Sequence, residues 1–370
     1  MKKPILELFI PLMTAVSLTF SCCTFGQTEK VKSLSQNATA SDNLSKILRQ
    51  TDAMPYLKSL IILKNNEVLV EKYMNGGGPD QIHDIRSASK SILSAVLGIA
   101  IKDGYIDSID QKILDFFPEY ITGELDPKLS DLTIRHLITM KSGFNIKETA
   151  KAYQQLYKSS DWVEHILHLP FRETPGKIFN YNSFNTHLLS ATITKATGMS
   201  TLEYATSALF SPLGITKVKW EKDPKGYCIG GWGLSLKAED MVKFGTLYLN
   251  NGLFRGIQVV PSEWITSSTI ERTGMIGTYY SGWNKSYGYG FLWWVKRVGN
   301  QIDIPFAMGH GGQRIAIIPS VNAVLVTQAE PNPKPSDSLK RHRAVDSLLF
   351  DDVAAYLLNG GPHLPLNDKH

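Results

Sequence analysis

Strand-like runs sit at the two ends of this chain and helical patterns fill its middle, and no other feature restricts the fold as much. Near the start, residues 57–63 and 68–73 are apolar-rich and separated by Lys64-Asn65-Asn66-Glu67, which reads as a hairpin. Gly76-Gly77-Gly78-Pro79 then breaks the pattern. From Ser87 to about Ser268 the signals are mostly helical. Residues 132–140 carry Leu and Ile at helical spacing and stop at Ser142-Gly143, and 160–169, 185–197 and 238–249 follow. Strand-like runs return at 289–298, 304–308, 313–319 and 322–328, and 344–358 is an apolar-periodic closing helix. The economical solution is an α+β fold, with one antiparallel sheet built from both chain ends, flanked by helices, and a mostly helical inserted region. This predicts a domain over 44–363, with a sheet region at about 44–86 plus 285–363 and a helical region at about 87–284. A cleft where the two regions meet is the natural place for a site.

Residues 1–26 read as a processing signal. Lys2 and Lys3 precede an apolar run over 8–20, which is too short for a membrane span. Two exits fit. Thr19-Phe20-Ser21-Cys22 is similar to a bacterial lipobox, which would leave Cys22 lipidated as a membrane tether, while Thr24-Phe25-Gly26 suits an ordinary cut. The lipoprotein is favoured, because Cys22 and Cys23 at the end of such a run have no structural use. Either route exports the chain, to the periplasm or to a membrane anchor. Residues 27–43 are polar and read as a flexible spacer. The folded part keeps Cys228 alone, which excludes a disulfide framework and leaves this cysteine as a small core residue.

With 370 residues, 43% hydrophobic and 20% charged, the chain can bury a large core. Wholesale disorder, collagen and a polytopic membrane protein are excluded. The net charge is +5, of which residues 1–26 carry a net +1, leaving +4 spread without a basic run. Nucleic acid is therefore not an expected partner.

The stretch Arg86-Ser87-Ala88-Ser89-Lys90-Ser91-Ile92-Leu93 sets a hydroxyl and an amine three residues apart at the start of an apolar helix. On a helix these share a face. Serine is a poor nucleophile unless a base or a positive field stabilises its alkoxide, and Lys90 with the helix N-terminus supplies either. Ile92, Leu93, Val96 and Leu97 would keep that face dry. A serine at a helix start is equally what a helix cap looks like. Two further segments shift the balance. Tyr181 lies amid Asn180, Asn182 and Ser183 ahead of an apolar helix, as a loop-borne phenol would, and His310-Gly311-Gly312-Gln313 brings a glycine pair into a strand with room for a substrate.

With these three segments in order, the chain resembles the penicillin-recognising serine hydrolases, in the branch of class C β-lactamases, D-alanyl-D-alanine carboxypeptidases and esterases. Ser87 and Lys90 match the first motif, S-x-x-K. Tyr181 opens the second, a Tyr-x-Asn type, whose third position here is Ser183. His310-Gly311-Gly312 matches the third. Residues 132–138, Ser142-Gly143, Gly230-Gly231-Trp232-Gly233-Leu234 and Tyr287-Gly288-Tyr289-Gly290 add to the likeness, and the 180–198 pattern is closest to the 6-aminohexanoate-dimer hydrolase subgroup. The resemblance implies a β-lactamase/transpeptidase-like fold and an acyl-enzyme on Ser87. It implies Lys90 and Tyr181 as the proton-handling groups, with the proton's first acceptor left open between them. It also implies an oxyanion hole from the backbone N–H groups of Ser87 and Gln313, and His310 as a cation or donor facing the substrate, against its alternative as a structural histidine. Ser183 in place of Asn weakens the case for an efficient β-lactamase.

No cofactor and no metal are expected. Glu164, His165 and His168 lack a zinc spacing and read as a helix surface, and no G-x-S-x-G argues against an α/β-hydrolase. Trp232, Tyr280, Trp293 and Trp294 are divided between acyl pocket and core. The expectation is an exported serine hydrolase acting on a small ester or amide. A β-lactamase or carboxypeptidase on wall peptide, and a module that is acylated or binds peptide without turnover, stay open.

Overall fold

The computed structural model describes residues 38–121, 125–273, 287–299 and 302–359. The processing segment with Cys22, the spacer up to residue 37, and Tyr280 lie outside the described residues. Seven strands form one antiparallel sheet: β1 (Leu57–Lys64), β2 (Glu67–Tyr73), β3 (Tyr287–Tyr289), β4 (Trp294–Val298), β5 (Ile302–Gly309), β6 (Gln313–Ile318) and β7 (Ala323–Ala329). Their spatial order is β2-β1-β7-β6-β5-β4-β3, so among the described residues the last strand lies beside the first. Both chain ends complete one sheet, as the distribution of strand signals implies.

Local chemistry explains the sheet's parts. Lys64 faces Glu67 across a two-residue turn in which Asn65 and Asn66 hold φ of 52° and 62°. That is the left-handed pair a tight hairpin demands, and asparagine tolerates it. Strands β6 and β7 are buried along their whole length, which is why their sequences are nearly continuous apolar runs rather than alternating ones. The run at 289–298 is not one strand. It folds into the hairpin β3–β4, with Leu292 at φ 62° in the turn. The turn's N–H groups of Phe291 and Leu292 bond Ser268 O and Ile138 O, at 2.9 and 3.0 Å, so the helical region staples it.

Helix Ser89–Lys102 is buried on every side from Ser89 to Ala100, as its apolar sequence requires. It packs against helix Ser183–Thr197, while helix Ala238–Leu249 covers β1, β6 and β7. Helix Ser183–Thr197 starts earlier than its periodicity predicts, because Asn182 caps it by accepting from Asn185 N–H at 2.9 Å. The 132–140 pattern shrinks to Ile134–Ile138, since Met140 turns to φ 57°. The spacer is a correction: helix Ala38–Gln50 begins inside it, and its Leu44 and Ile47 are buried where the helix meets the segment Ser347–Val353. The closing helix also starts earlier, at Pro335, and reaches Leu358 through a wider turn over Ser347–Val353. Cys228 is fully buried.

Candidate active site

Ser87 sits in a single tight turn, Arg86–Ala88, just ahead of helix Ser89–Lys102, and its hydroxyl does not cap that helix. The bend comes from Arg86, which holds φ of 53° in the left-handed region that costs a side-chain-bearing residue roughly 1–3 kcal/mol. Asp84 maintains it. Its Oδ1 accepts from Arg86 N–H at 2.7 Å and Gly233 N–H at 3.2 Å, and its Oδ2 lies 3.2 Å from Arg86 Nε. The Arg86 guanidinium also donates to Asn332.

Lys90 is 1% exposed and donates to three oxygens: Ser87 Oγ at 3.0 Å, Ser183 Oγ at 3.0 Å and Gly231 O at 2.9 Å. Three acceptors satisfy the three protons of an ammonium. Two of them are hydroxyls, which can turn and donate instead, so the site also accepts the neutral amine. Burial pushes the Lys90 amine down to about 8, opposed by the Glu148 carboxylate. Its Nζ lies 5.0 Å from the centroid of the Tyr181 ring. Tyr181 is 4% exposed and packs against Trp294 and Tyr289.

A cleft of about 390 Å³ opens over this group, lined by Ser87, Tyr181, Ser183 and His310 among others. Four predicted residues thus meet there, with Lys90 beneath them. The other predicted members do not line it. Gly311 holds φ 87° and a Cβ there would lie 2.5 Å from Glu330 O, while Gly312 holds φ 116° beside Val345 and Ala329. Both positive φ values suit the tight turn between β5 and β6. The Gln313 side chain is fully buried and spans β7, donating to Ala329 O at 2.6 Å and accepting from Ala329 N–H at 3.1 Å. Asn182 is the helix cap, and Asn185 lies buried with its amide on Met140 Sδ at 3.7 Å, so Ser183 alone of this trio faces the cleft.

His310 is exposed, 3.4 Å from Ser338 Oγ, and partial desolvation and Arg86 hold its ring below the usual histidine range. It is a neutral ring near pH 7 rather than a cation. Behind it, buried Arg314 donates to Gly309 O at 3.2 Å and Gln313 O at 2.9 Å, the two ends of the turn. Its Nε reaches Asp346 at 2.8 Å and its Nη2 lies 2.9 Å from His342 Nδ1. An arginine only donates, so His342 Nδ1 accepts and its proton sits on Nε2. Burial, Arg314 and His310 keep that histidine well below its ordinary range.

Sequence reasoning missed Glu148, Tyr153 and Tyr157, which line the cleft with Trp232. Trp232 meets Tyr153 edge-on at 5.4 Å, forming an aromatic wall. By contrast Trp293 is fully buried core, packed on Phe244 and Tyr248. Burial and Glu148 keep the Tyr153 phenol protonated, well above its usual range. At the end of the helix over 162–167, His168 Nδ1 lies 2.8 Å from the Glu164 backbone O.

Comparison with known proteins identifies the family and the fold. Residues 58–349 match the family described as Beta-lactamase. A 6-aminohexanoate-dimer hydrolase of Paenarthrobacter ureafaciens is 26% identical over 339 residues, covering 87% of this chain and 83% of its own. A provisionally named 6-aminohexanoate-dimer hydrolase from Bacillus anthracis superposes with a TM-score of 0.70 at 21% identity, covering 85% of this chain and 83% of its own. A provisionally named β-lactamase from Bacteroides dorei gives 0.70 at 19% identity, with 86% and 98% covered. The last two likenesses concern the fold. With the family match spanning most of its length, the chain belongs to the beta-lactamase family and is a serine hydrolase of that kind.

Proposed function

We propose that the protein is an exported hydrolase that cleaves a small ester or amide through an acyl-enzyme on Ser87. The observation that carries this reading is the Lys90 amine, buried, pushed down to about 8, and 3.0 Å from Ser87 Oγ at the floor of an open cleft. In its neutral form the amine takes the Ser87 proton as Oγ bonds to the substrate carbonyl carbon. The backbone N–H groups of Ser87 and Gln313 hold the developing oxyanion, and the side-chain anchors of Gln313 on β7 fix the second of these donors. Collapse breaks the bond to the alcohol or amine, which leaves with a proton returned through Lys90 or Tyr181. Water then cleaves the Ser87 ester. Ser183 provides a hydroxyl rather than an amide beside Lys90, which favours esters and simple amides over β-lactams. Similarity to a protein named for the 6-aminohexanoate dimer makes that compound the first amide to try. Export, with Cys22 as a lipid tether, rests on the charged start and apolar run of residues 1–26.

The test is release of p-nitrophenol from short-chain esters by the mature protein and by Ser87→Ala. Sustained release that the variant lacks is the expected result. Equal, slow release from both would overturn the assignment of Ser87.

A further inference from the structure

Glu148 makes a second set of contacts to the same machinery. It lies just before helix Ala150–Lys158, half-buried in the cleft wall. Its Oε1 accepts from Ser183 N–H at 2.6 Å and from the Tyr153 hydroxyl at 2.5 Å. Ser183 is the first residue of its helix, so the carboxylate stands at a helix N-terminus, where N–H groups are unpaired and the field is positive. The Asn182 side chain serves a different donor of that terminus, Asn185 N–H. Ser183 therefore joins Glu148 to Lys90, its N–H engaged on one side and its Oγ on the other.

We infer that Glu148 is a positioning residue that holds Ser183, and through it the Lys90 amine, in register with Ser87 while keeping a negative charge beside that amine. The inference rests on the reading of Ser87 and Lys90 given above. The charge balance around Lys90 supports it. Lys90 faces the Tyr181 ring, two serine hydroxyls and the Gly231 carbonyl, none of which carries a negative charge. The other titratable groups of the cleft are Arg86, which Asp84 pairs, the phenols Tyr153 and Tyr157, and the histidines 310 and 342, both held below their usual range. Glu148 is thus the carboxylate that opposes the desolvation of Lys90.

Three substitutions separate geometry from charge. Glu148→Gln keeps an oxygen that can accept from Ser183 N–H and Tyr153 while removing the charge. Glu148→Asp keeps the charge and shortens the reach. Glu148→Ala removes both. The readout is the Lys90 side-chain resonance titrated in the folded full chain labelled at lysine, assigned with Lys90→Arg, alongside kcat and KM over pH. In Glu148→Gln the Lys90 midpoint and the acid limb of kcat/KM move down together by roughly one pH unit, the size a neighbouring charge produces. Glu148→Asp keeps the midpoint near wild type but lowers kcat. Glu148→Ala loses roughly tenfold more kcat than the Gln variant with little change in KM. An unmoved midpoint in Glu148→Gln, or an equal drop in Glu148→Asp, overturns the inference. If the midpoint moves but Ser87→Ala stays active, the Glu148–Lys90 link stands and the role of Ser87 falls.

Discussion

Gly231 stands where a single methyl group should disable the site. Its carbonyl is one of the three acceptors around Lys90. A Cβ on this residue would lie 2.6 Å from Ser183 Cβ, 2.9 Å from Ser183 Oγ and 3.3 Å from Lys90 Nζ. Carbon atoms rest about 3.5–4.0 Å apart, so Gly231→Ala requires about 1 Å of yield. Ser183 cannot give that alone, being buried at the head of its helix with its N–H held by Glu148. Overpacking of this kind costs about 1–3 kcal/mol, and Tm should fall by about 2–4 °C for each of those kcal/mol. Displacement of the Lys90 shell by about 1 Å should lower kcat on the order of a hundredfold. The assay is p-nitrophenyl acetate hydrolysis beside a thermal melt. Gly78→Ala is the control, because its Cβ would meet only the Gln81 side chain at an ordinary 3.7 Å. A Gly231→Ala enzyme with wild-type kcat and Tm would refute the account of a tightly built lysine shell.

With Lys90 at about 8 and the free amine as the form that takes the serine proton, kcat/KM should rise roughly fiftyfold from pH 6 to pH 8 and then level off; a fall through pH 8 would mean that the ammonium is the working form. Asp346→Ala leaves the buried Arg314 guanidinium and the Tyr287 hydroxyl without their carboxylate, and urea denaturation should show a loss of about 3–5 kcal/mol. A loss below about 1 kcal/mol would show that the network is replaceable.

Ser87 and Lys90 could be read from the chain because helical spacing brings residues three apart together, whatever the rest of the fold does. Tyr181 and His310 announced themselves through local composition, a phenol among small polar residues and a histidine before paired glycines. The roles of the neighbours were not legible. Asn182 and Ser183 are adjacent, and only the helix start decides that the first caps while the second faces Lys90. Glu148 reaches Ser183 from a distant loop, and a glutamate followed by Thr149 and a short helix carries no mark of that destination. The one available signal was that a carboxylate is the expected partner for a helix start beside a buried lysine. At Gly311 and Gly312 the sequence could not separate two needs, because glycine signals equally an open approach and a positive φ. The hairpin β3–β4 was hidden within one apolar run, since the contacts that bend it belong to Ser268 and Ile138.

The meeting of the two chain ends in one sheet sets an order of assembly. Strand β1 pairs with β2 on one side across a two-residue turn, an event of microseconds. Its other edge, from Leu57 to Lys64, must wait for Ala323–Ala329, which leaves the ribosome only after the whole helical region. Until then the run Leu60-Ile61-Ile62-Leu63 presents unpaired N–H and C=O groups beside apolar side chains, a template for association with other chains. The sheet face that closes over helix Ala238–Leu249 is likewise incomplete until β7 arrives. A chain truncated before β7 should therefore accumulate as aggregate rather than as a smaller folded unit. The nascent protein depends on being kept apart from its copies until β7 has emerged.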